Sequence, residues 1–372
     1  MVKNVKRVLQ IITRSDWAGG QKILYSLVYG LKKFYNKEFE IEVACGKFDG
    51  KLIPELEKIG VKVHIIENLV REISVLKDIK AFFEIRKLIK NGNYDIVHLH
   101  SSKAGFLGRI AAKSLKVPLV VYTVHGWWPI EQFKGLKRKL FIFLEKIAAR
   151  YCDKIVLLCN KDLQKAKDWK IGKEDQYEMI HNAIIPPPSF KKGKLRKELG
   201  ISNEIKIVGN VARLDPQKNP IRFLEIAKIV LKERKDVVFV WIGGSVVNDV
   251  YSKKVQEWLE KNPTVKEEVY FLPFRKDAIE LMVDFDVFLL TSDSEGMPLV
   301  VLEAISQKIP VVSTDVGCVK EVVGDENVAL DKKELVLILL KILEQEKIKS
   351  KKVENNYQKF IKNYVLIYRE VK

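Results

Sequence analysis

Two carboxylates in one short stretch indicate the chemistry to look for. Glu295 and Glu303 lie within Val287-Phe-Leu-Leu-Thr-Ser-Asp-Ser-Glu-Gly-Met-Pro-Leu-Val-Val-Leu-Glu-Ala304. The apolar run Val287 to Leu290 is uninterrupted and ends in small polar residues, which reads as a strand buried on both faces of a parallel sheet. Pro298 has the company of a first helical position, where its missing N–H costs nothing. The turn Ser292 to Gly296 is therefore expected to join a strand's carboxyl end to a helix N-terminus. Such junctions bind ligands in open α/β sheets, and their bare amide donors attract phosphate. Two carboxylates there suit a ligand that carries hydroxyls as well as phosphates, such as a nucleotide sugar. The alternative is a surface turn followed by a helix with one exposed glutamate.

Cations lie at a second junction of the same kind. Arg213 and Lys218 fall in Ala212-Arg-Leu-Asp-Pro-Gln-Lys-Asn-Pro220, between a strand over Ile205 to Val211 and a helix from Ile221. A guanidinium and an ammonium at that place can neutralise a pyrophosphate and stabilise a leaving nucleotide diphosphate without a metal. Gly19 and Gly20 follow a strand over Val5 to Ile12, where the absence of Cβ lets backbone approach a ligand; a tight turn explains them equally. His125, at the end of a strand over Leu119 to Val124, is the best placed of the five histidines. An ordinary loop histidine is the alternative. Trp127 and Trp128 can stack on sugar faces or pack in a core. Ser101 and Lys103, after a strand over Tyr94 to Leu99, are candidates for an acceptor side. His98 and His100 share one strand face but have no third ligand, so they read as structural. No metal is expected, and Asp284-Phe-Asp286 falls at the wrong end of its strand for a metal at the ligand loops.

The segment Glu295-Gly-Met-Pro-Leu-Val-Val-Leu-Glu303 resembles the E-x7-E signature of retaining glycosyltransferases of family four, which face two Rossmann-like domains across a cleft, the GT-B architecture. The resemblance implies that Glu295 contacts the transferred sugar, with Gly296, Met297, Pro298 and Leu299 beside it, and that Glu303 bonds the ribose. It places Arg213 and Lys218 on the diphosphate, Gly19 and Gly20 against donor phosphates and sugar, and His125 near the reacting carbon. Phe274 and Arg275, in Tyr270-Phe-Leu-Pro-Phe-Arg-Lys276, match the segment that holds the nucleotide base. The family's mechanism is a front-face displacement in which the departing phosphate helps take the acceptor's proton. Its acceptors are often lipid-linked, and no cofactor is implied beyond the nucleotide sugar, most simply a UDP-sugar carrying a hexose or N-acetylhexosamine. Three positions depart from the pattern: Asn219 follows Lys218 where glycine is usual, Gly243-Gly244-Ser-Val replaces a Gly-Asp-Gly-Pro-like turn, and Gly317-Cys318 replaces two glycines. Asn tolerates the left-handed conformation, so the first loop is expected to survive.

The elements that must position these residues alternate strand with helix throughout, the rhythm of doubly wound parallel sheets. A length of 372 residues suits two domains. The first is read over residues 1–185, completed by a terminal helix over about 352–372, and the second over 195–350. Pro186-Pro-Pro188 lies in the linker, placed from Ile184 to Lys194. Four scattered cysteines form no CxxC pair, which makes disulfide and metal readings poor. Val8 to Ile12 is too short for a signal-peptide core and Arg14 interrupts it, so the expected location is cytoplasmic.

The net charge of +18 fits phosphorylated substrates, an anionic membrane or nucleic acid. Phe133, Leu136, Leu140, Phe143, Leu144 and Ile147 recur at helical spacing among Lys134, Lys137, Arg138, Lys139, Lys146 and Arg150; the stretch from Arg71 to Lys90 is similar. Each reads either as a membrane-surface helix or as a core helix with solvated lysines. Peripheral association with the inner face of the membrane follows from the first reading. Two rivals stand beside the transferase: a nucleotide-sugar epimerase on the same architecture, and a basic nucleic-acid-binding protein. Glutamates interleaved among the lysines, and the lack of any RNP, KH or zinc signature, argue against nucleic acid.

Overall fold

The computed structural model describes residues 5–244, 250–344 and 356–371. The chain forms two compact units, Met1–Ile185 with Asn356–Lys372, and Pro186–Asn355.

In the first unit strands and helices follow as β1 (Lys6–Ile12), α1 (Gly19–Tyr35), β2 (Phe39–Gly46), α2 (Leu52–Lys58), β3 (Lys62–Ile66), α3 (Val75–Gly92) and β4 (Ile96–His100). They continue as α4 (Ser102–Ser114), β5 (Leu119–Thr123), α5 (Trp128–Glu131), α6 (Gly135–Ala149), β6 (Lys154–Leu157), α7 (Asn160–Asp168) and β7 (Tyr177–Met179). All strands pair parallel in the order β3-β2-β1-β4-β5-β6-β7. The winding reverses between β1 and β4, and the loops after these two strands meet at their carboxyl ends, where Thr13 Oγ1 and Ser101 Oγ lie 2.6 Å apart. Alternate residues of the buried strands feed two cores. Leu9 and Ile11 join a cluster with Ile85 of α3, Ala111 of α4 and Ala149 of α6. Ile12, Val43 and Cys45 join Leu24 and Val28 of α1 and Leu56 of α2.

The second unit runs α8 (Lys194–Leu199), β8 (Lys206–Val211), α9 (Pro220–Glu233), β9 (Val237–Ile242), α10 (Val250–Glu260), α11 (Pro263–Lys266), β10 (Val269–Leu272) and α12 (Ala278–Met282). It ends with β11 (Val287–Leu290), α13 (Leu299–Ser306), β12 (Val311–Thr314), α14 (Val319–Val323), β13 (Val328–Ala329) and α15 (Lys332–Glu344). Its strands are again parallel, ordered β10-β9-β8-β11-β12-β13, with the reversal between β8 and β11. The linker expected up to Lys194 is followed at once by α8, whose two turns the charged sequence concealed. Asp284 explains how α8 is held: its carboxylate accepts N–H bonds from Gly193, Leu195 (2.7 Å) and Arg196 (3.3 Å). Asp286 pairs with the Arg196 guanidinium at 2.9 Å. The Asp-x-Asp motif is thus a helix cap and an ion pair.

The last helix, α16 (Tyr357–Arg369), belongs to the first unit, although 170 or so residues of the second unit precede it. Its path leaves no room for a side chain at Gly30 of α1, where an added Cβ would collide with Ile361. The Tyr357 hydroxyl donates to the Ser26 carbonyl at 2.6 Å. Tyr364 and Tyr368 are fully buried and turn their hydroxyls toward polar residues of β1, β4 and β5.

Helix α6 leaves part of its expected apolar face uncovered. Phe141 and Ile142 pack against the core, whereas Leu136, Leu140 and Phe143 are 84%, 53% and 57% exposed. The reason is the buried pair Arg109–Glu145 (2.6 Å), which turns the Glu145 side of α6 toward α4. On α3, Val75, Leu76, Ile79 and Phe83 are likewise exposed. Both helices pack against α4 and leave an apolar row in solvent among basic residues. The core has not consumed either row. All four cysteines are buried, and none is in a disulfide.

Because Asp284 satisfies three helix-start donors, Asp284→Ala should destabilise the second unit by about 2–4 kcal/mol, the range for stranding buried donors at a cap. Urea unfolding followed by tryptophan fluorescence measures this, and an unchanged midpoint would contradict it.

Candidate active site

In the second unit the site grows from the reversal point. The loops after β8 and β11 are neighbours there, and side chains stitch them together. The Asp293 N–H donates to the Gln217 carbonyl and the Gln217 amide to the Ser294 carbonyl, both at 2.8 Å. Arg222 pairs with Asp293 at 2.7 Å and donates to the Thr291 carbonyl at 2.9 Å. Asn219 adopts φ 49°, caps α9 by accepting from the Arg222 N–H, and turns its amide to Asp293. The departure from glycine is thus absorbed: the left-handed conformation is kept and the asparagine side chain gains two uses.

This frame delivers Lys218 and Glu295 to each other. The ammonium lies 2.5 Å from a Glu295 oxygen, and the Ser292 hydroxyl donates to the same oxygen at 2.6 Å. Arg213 stands nearer solvent, its side chain 53% exposed and paired with Asp215 at 2.9 Å. Gly296 is pinned by its carbonyl, which accepts from the Cys318 N–H at 2.9 Å. Gly317, at φ 50°, passes so close to Gly296 that any Cβ would strike that carbonyl. One glycine therefore suffices where two were expected. Pro298 is the N-cap of α13 and Leu299 its first residue, one position later than read, because the Pro298 backbone is extended (ψ 118°). Met297, Leu299 and Glu303 are buried beside it. Phe274, in the loop after β10, is largely exposed. Arg275 is clamped between Asp277 (2.9 Å) and Glu198 of α8, so its cation is already neutralised. Ser245 and Val246, which follow Gly244 in the sequence, lie outside the described residues.

In the first unit Gly19 and Gly20 open α1, where first-turn N–H groups have no intrahelical acceptor. A Cβ on Gly20 would sit 3.8 Å from the His125 ring, so the glycine pair and His125 share one place. Behind His125, its Nε2 is 3.0 Å from Nδ1 of His100. Ser101 takes φ 65° and ψ 153°, a conformation that favours glycine, held by bonds between its hydroxyl and Thr13 (2.6 Å to Oγ1).

Of the candidates for the acceptor side, one lies in the core and another in an ion pair. Trp127 is buried, meets Trp169 edge-on at 5.6 Å and donates to the Asp162 carbonyl at 3.0 Å, so it is a core residue. Lys103 pairs with Asp78 at 2.6 Å and bonds the Glu72 carbonyl, which ties α4 to α3. Trp128 begins α5, and its side chain lies outside the described residues. Ser292, Asp293 and Gln217 fall within the two junctions read from sequence but received no role there, and Arg222 was not singled out.

Residues 191–360 match the family Glycosyl transferases group 1, and residues 17–186 match Glycosyltransferase Family 4. Over 298 residues the chain is 36% identical to the Escherichia coli UDP-Gal:alpha-D-GlcNAc-diphosphoundecaprenol alpha-1,3-galactosyltransferase, covering 76% of this chain and 73% of that one. The chain belongs to glycosyltransferase family 4. It is also 28% identical over 281 residues to a Campylobacter jejuni N,N'-diacetylbacillosaminyl-diphospho-undecaprenol alpha-1,3-N-acetylgalactosaminyltransferase, with 72% of each chain covered. Among solved structures, Anabaena HepE in complex with UDP and glucose superposes with a TM-score of 0.75 at 20% identity, covering 98% of this chain and 97% of that one. The fold is GT-B, and the protein is a glycosyltransferase rather than an epimerase.

The histidines make the first unit acid-sensitive. Burial, reinforced by neighbouring imidazoles, holds His98 and His100 well below the ordinary range, and burial alone lowers His125 to about 4. The unfolded chain binds protons near pH 6.5 that the folded chain refuses, so stability is full above that pH and falls as pH drops toward 4. Each imidazole should contribute a slope of up to about 1.4 kcal/mol per pH unit. Urea unfolding at pH 7 and pH 5.5 should show the loss, with a shallower slope in His98→Gln.

Proposed function

We propose that this glycosyltransferase moves a hexose or N-acetylhexosamine, with retention, from a UDP-sugar to a lipid-linked glycan acceptor in cell-surface polysaccharide or glycoconjugate assembly. The observation that carries the reading is the Lys218–Glu295 pair, placed between the β8 and β11 loops with Arg213 in the same first loop. A diphosphate entering there can draw Lys218 and Arg213 onto its oxygens, which frees Glu295 to accept hydroxyls of the transferred sugar. Two cations then stabilise the leaving diphosphate, the task a metal performs elsewhere. Glu303 is assigned to the ribose, and Phe274 and the backbone beside Arg275 to the base. Gly19 and Gly20 are assigned to the donor's phosphates and sugar, His125 to the sugar near the reacting carbon, and Ser101 to the acceptor. The named relatives act on diphosphoundecaprenol-linked sugars, which supports a lipid-linked acceptor here.

Peripheral membrane attachment follows from the same reading. No helix among the described residues is long and apolar enough to cross a membrane. The exposed apolar rows of α3 and α6 lie among Lys77, Lys80, Lys87, Lys134, Lys137 and Lys139. Apolar side chains that enter the headgroup boundary and lysines at about 1 kcal/mol each near an anionic surface would hold the enzyme where its acceptor resides.

A thermal-shift panel of UDP, GDP, ADP and their sugars in excess EDTA tests the donor site, since a ligand of the folded state alone raises the melting temperature. A shift with UDP that survives EDTA and disappears in Lys218→Ala is the expected result; a shift that needs a divalent cation overturns the metal-independent reading. Glu295→Ala should lower turnover by about a hundredfold or more while UDP still binds, the scale of losing a transition-state contact. In co-sedimentation with anionic vesicles, the triple variant Leu136→Ser, Leu140→Ser, Phe143→Ser should leave the pellet. Equal retention of both proteins would refute this membrane face.

A further inference from the structure

A continuous chain of hydrogen bonds lies beneath His125, and every member but His125 is fully buried. From His125 it passes to His100 at 3.0 Å, from His100 Nε2 to Gln10 Oε1 at 2.8 Å, and from Gln10 Nε2 to the Tyr368 hydroxyl at 2.7 Å. Tyr368 then meets His98 Nδ1 at 2.7 Å, and His98 Nε2 meets Thr123 Oγ1 at 2.7 Å, with the Tyr364 hydroxyl 3.1 Å beyond.

With the Gln10 carbonyl oxygen turned to His100 and its amide to Tyr368, donor and acceptor rules set the protons along this chain. The Gln10 carbonyl oxygen can only accept, so His100 Nε2 must carry a hydrogen. Burial keeps His100 neutral, which leaves its Nδ1 a bare acceptor. His125 Nε2 faces that acceptor and must therefore donate. His125 is then left with a lone pair on Nδ1. On the other side, the Tyr368 hydroxyl receives the Gln10 amide and passes its own hydrogen to His98 Nδ1. If the Gln10 amide were reversed, every one of these assignments would invert.

We propose that Gln10, oriented by Tyr368 of the C-terminal helix and acting through His100, is a positioning residue that holds His125 as the Nε2–H tautomer with Nδ1 free to accept a hydrogen bond from a sugar hydroxyl. Nothing in the mechanism above assigns work to Gln10, His100 or Tyr368. The chemistry selects the ligand group: a bare imidazole nitrogen takes a hydroxyl donor and turns away a phosphate or carbonyl oxygen. The sugar contact rests on the reading of His125 under the proposed function; the tautomer assignment does not.

The test is nitrogen-15 NMR of the full-length protein labelled at histidine, without ligand, near pH 7.5. Wild type should show His125 protonated at Nε2 and bare at Nδ1. Gln10→Glu preserves an acceptor toward His100 and should keep that pattern, whereas Gln10→Leu and Tyr368→Phe should give mixed tautomers. In steady-state assays with a UDP-sugar, His100→Leu should lower kcat by about tenfold, the equivalent of one lost hydrogen bond. His100→Gln, which can donate to Gln10 and accept from His125, should restore it at an unchanged melting temperature. A wild-type His125 protonated at Nδ1 overturns the proposal, as does a pattern indifferent to both Gln10→Leu and Tyr368→Phe. Tautomers that respond as expected with kcat unmoved would uphold the relay and remove the sugar contact.

Discussion

A parallel sheet covered by helices on both faces has one place for polar chemistry, the carboxyl ends of its strands. The middles of β1, β4, β8 and β11 are buried and largely apolar, so reactive side chains collect where the strands stop. Gly19 and Gly20 follow β1, Ser101 follows β4 and His125 follows β5; Arg213 and Lys218 follow β8, Phe274 follows β10 and Glu295 follows β11. Within each unit the reversal of strand order selects two of those loops and sets them side by side. Glycines and left-handed residues then decide how closely the loops approach, as Gly317 beneath Gly296 and Asn219 at the start of α9 illustrate.

The order of elements was legible because each buried strand is a short β-branched run and each helix repeats near every fourth residue. Val287 to Leu290 was read without error, and Glu295, Lys218 and Arg213 fell on the expected loops. What failed to show was pairing. Nothing in the local sequence says that Lys218 meets Glu295, or that Arg222 and Gln217 bind the β11 loop, since these contacts span more than 65 residues. Trp127 illustrates the converse. Its chemistry suited a sugar pocket, but burial is set by the tertiary neighbours Trp169 and Asp162. Helix α6 left two readings open in the sequence, and only the structure shows Leu136, Leu140 and Phe143 in solvent with Glu145 buried against Arg109.

Polar burial is concentrated in the first unit, where three histidines, two tyrosines, a glutamine and a threonine share one network. Such groups are costly unless each finds a partner, and here each partner comes from a different element. The gain is orientation: rings held at both nitrogens cannot rotate. Ser101 shows the same economy of position, since a backbone conformation costing about 1–3 kcal/mol is kept by its hydroxyl bonds to Thr13.

The placement of α16 also has a consequence for synthesis on the ribosome. Residues 6–179, which carry all strands of the first sheet, emerge before any of the second unit, yet Tyr364 and Tyr368 follow only after residue 355. Gln10, His98 and Thr123 must wait for those hydroxyls while the intervening residues are translated, roughly 10–40 s at 5–20 residues per second. The second unit contains its whole sheet in one continuous segment and can close first. The half of the enzyme made earliest is therefore the half completed last.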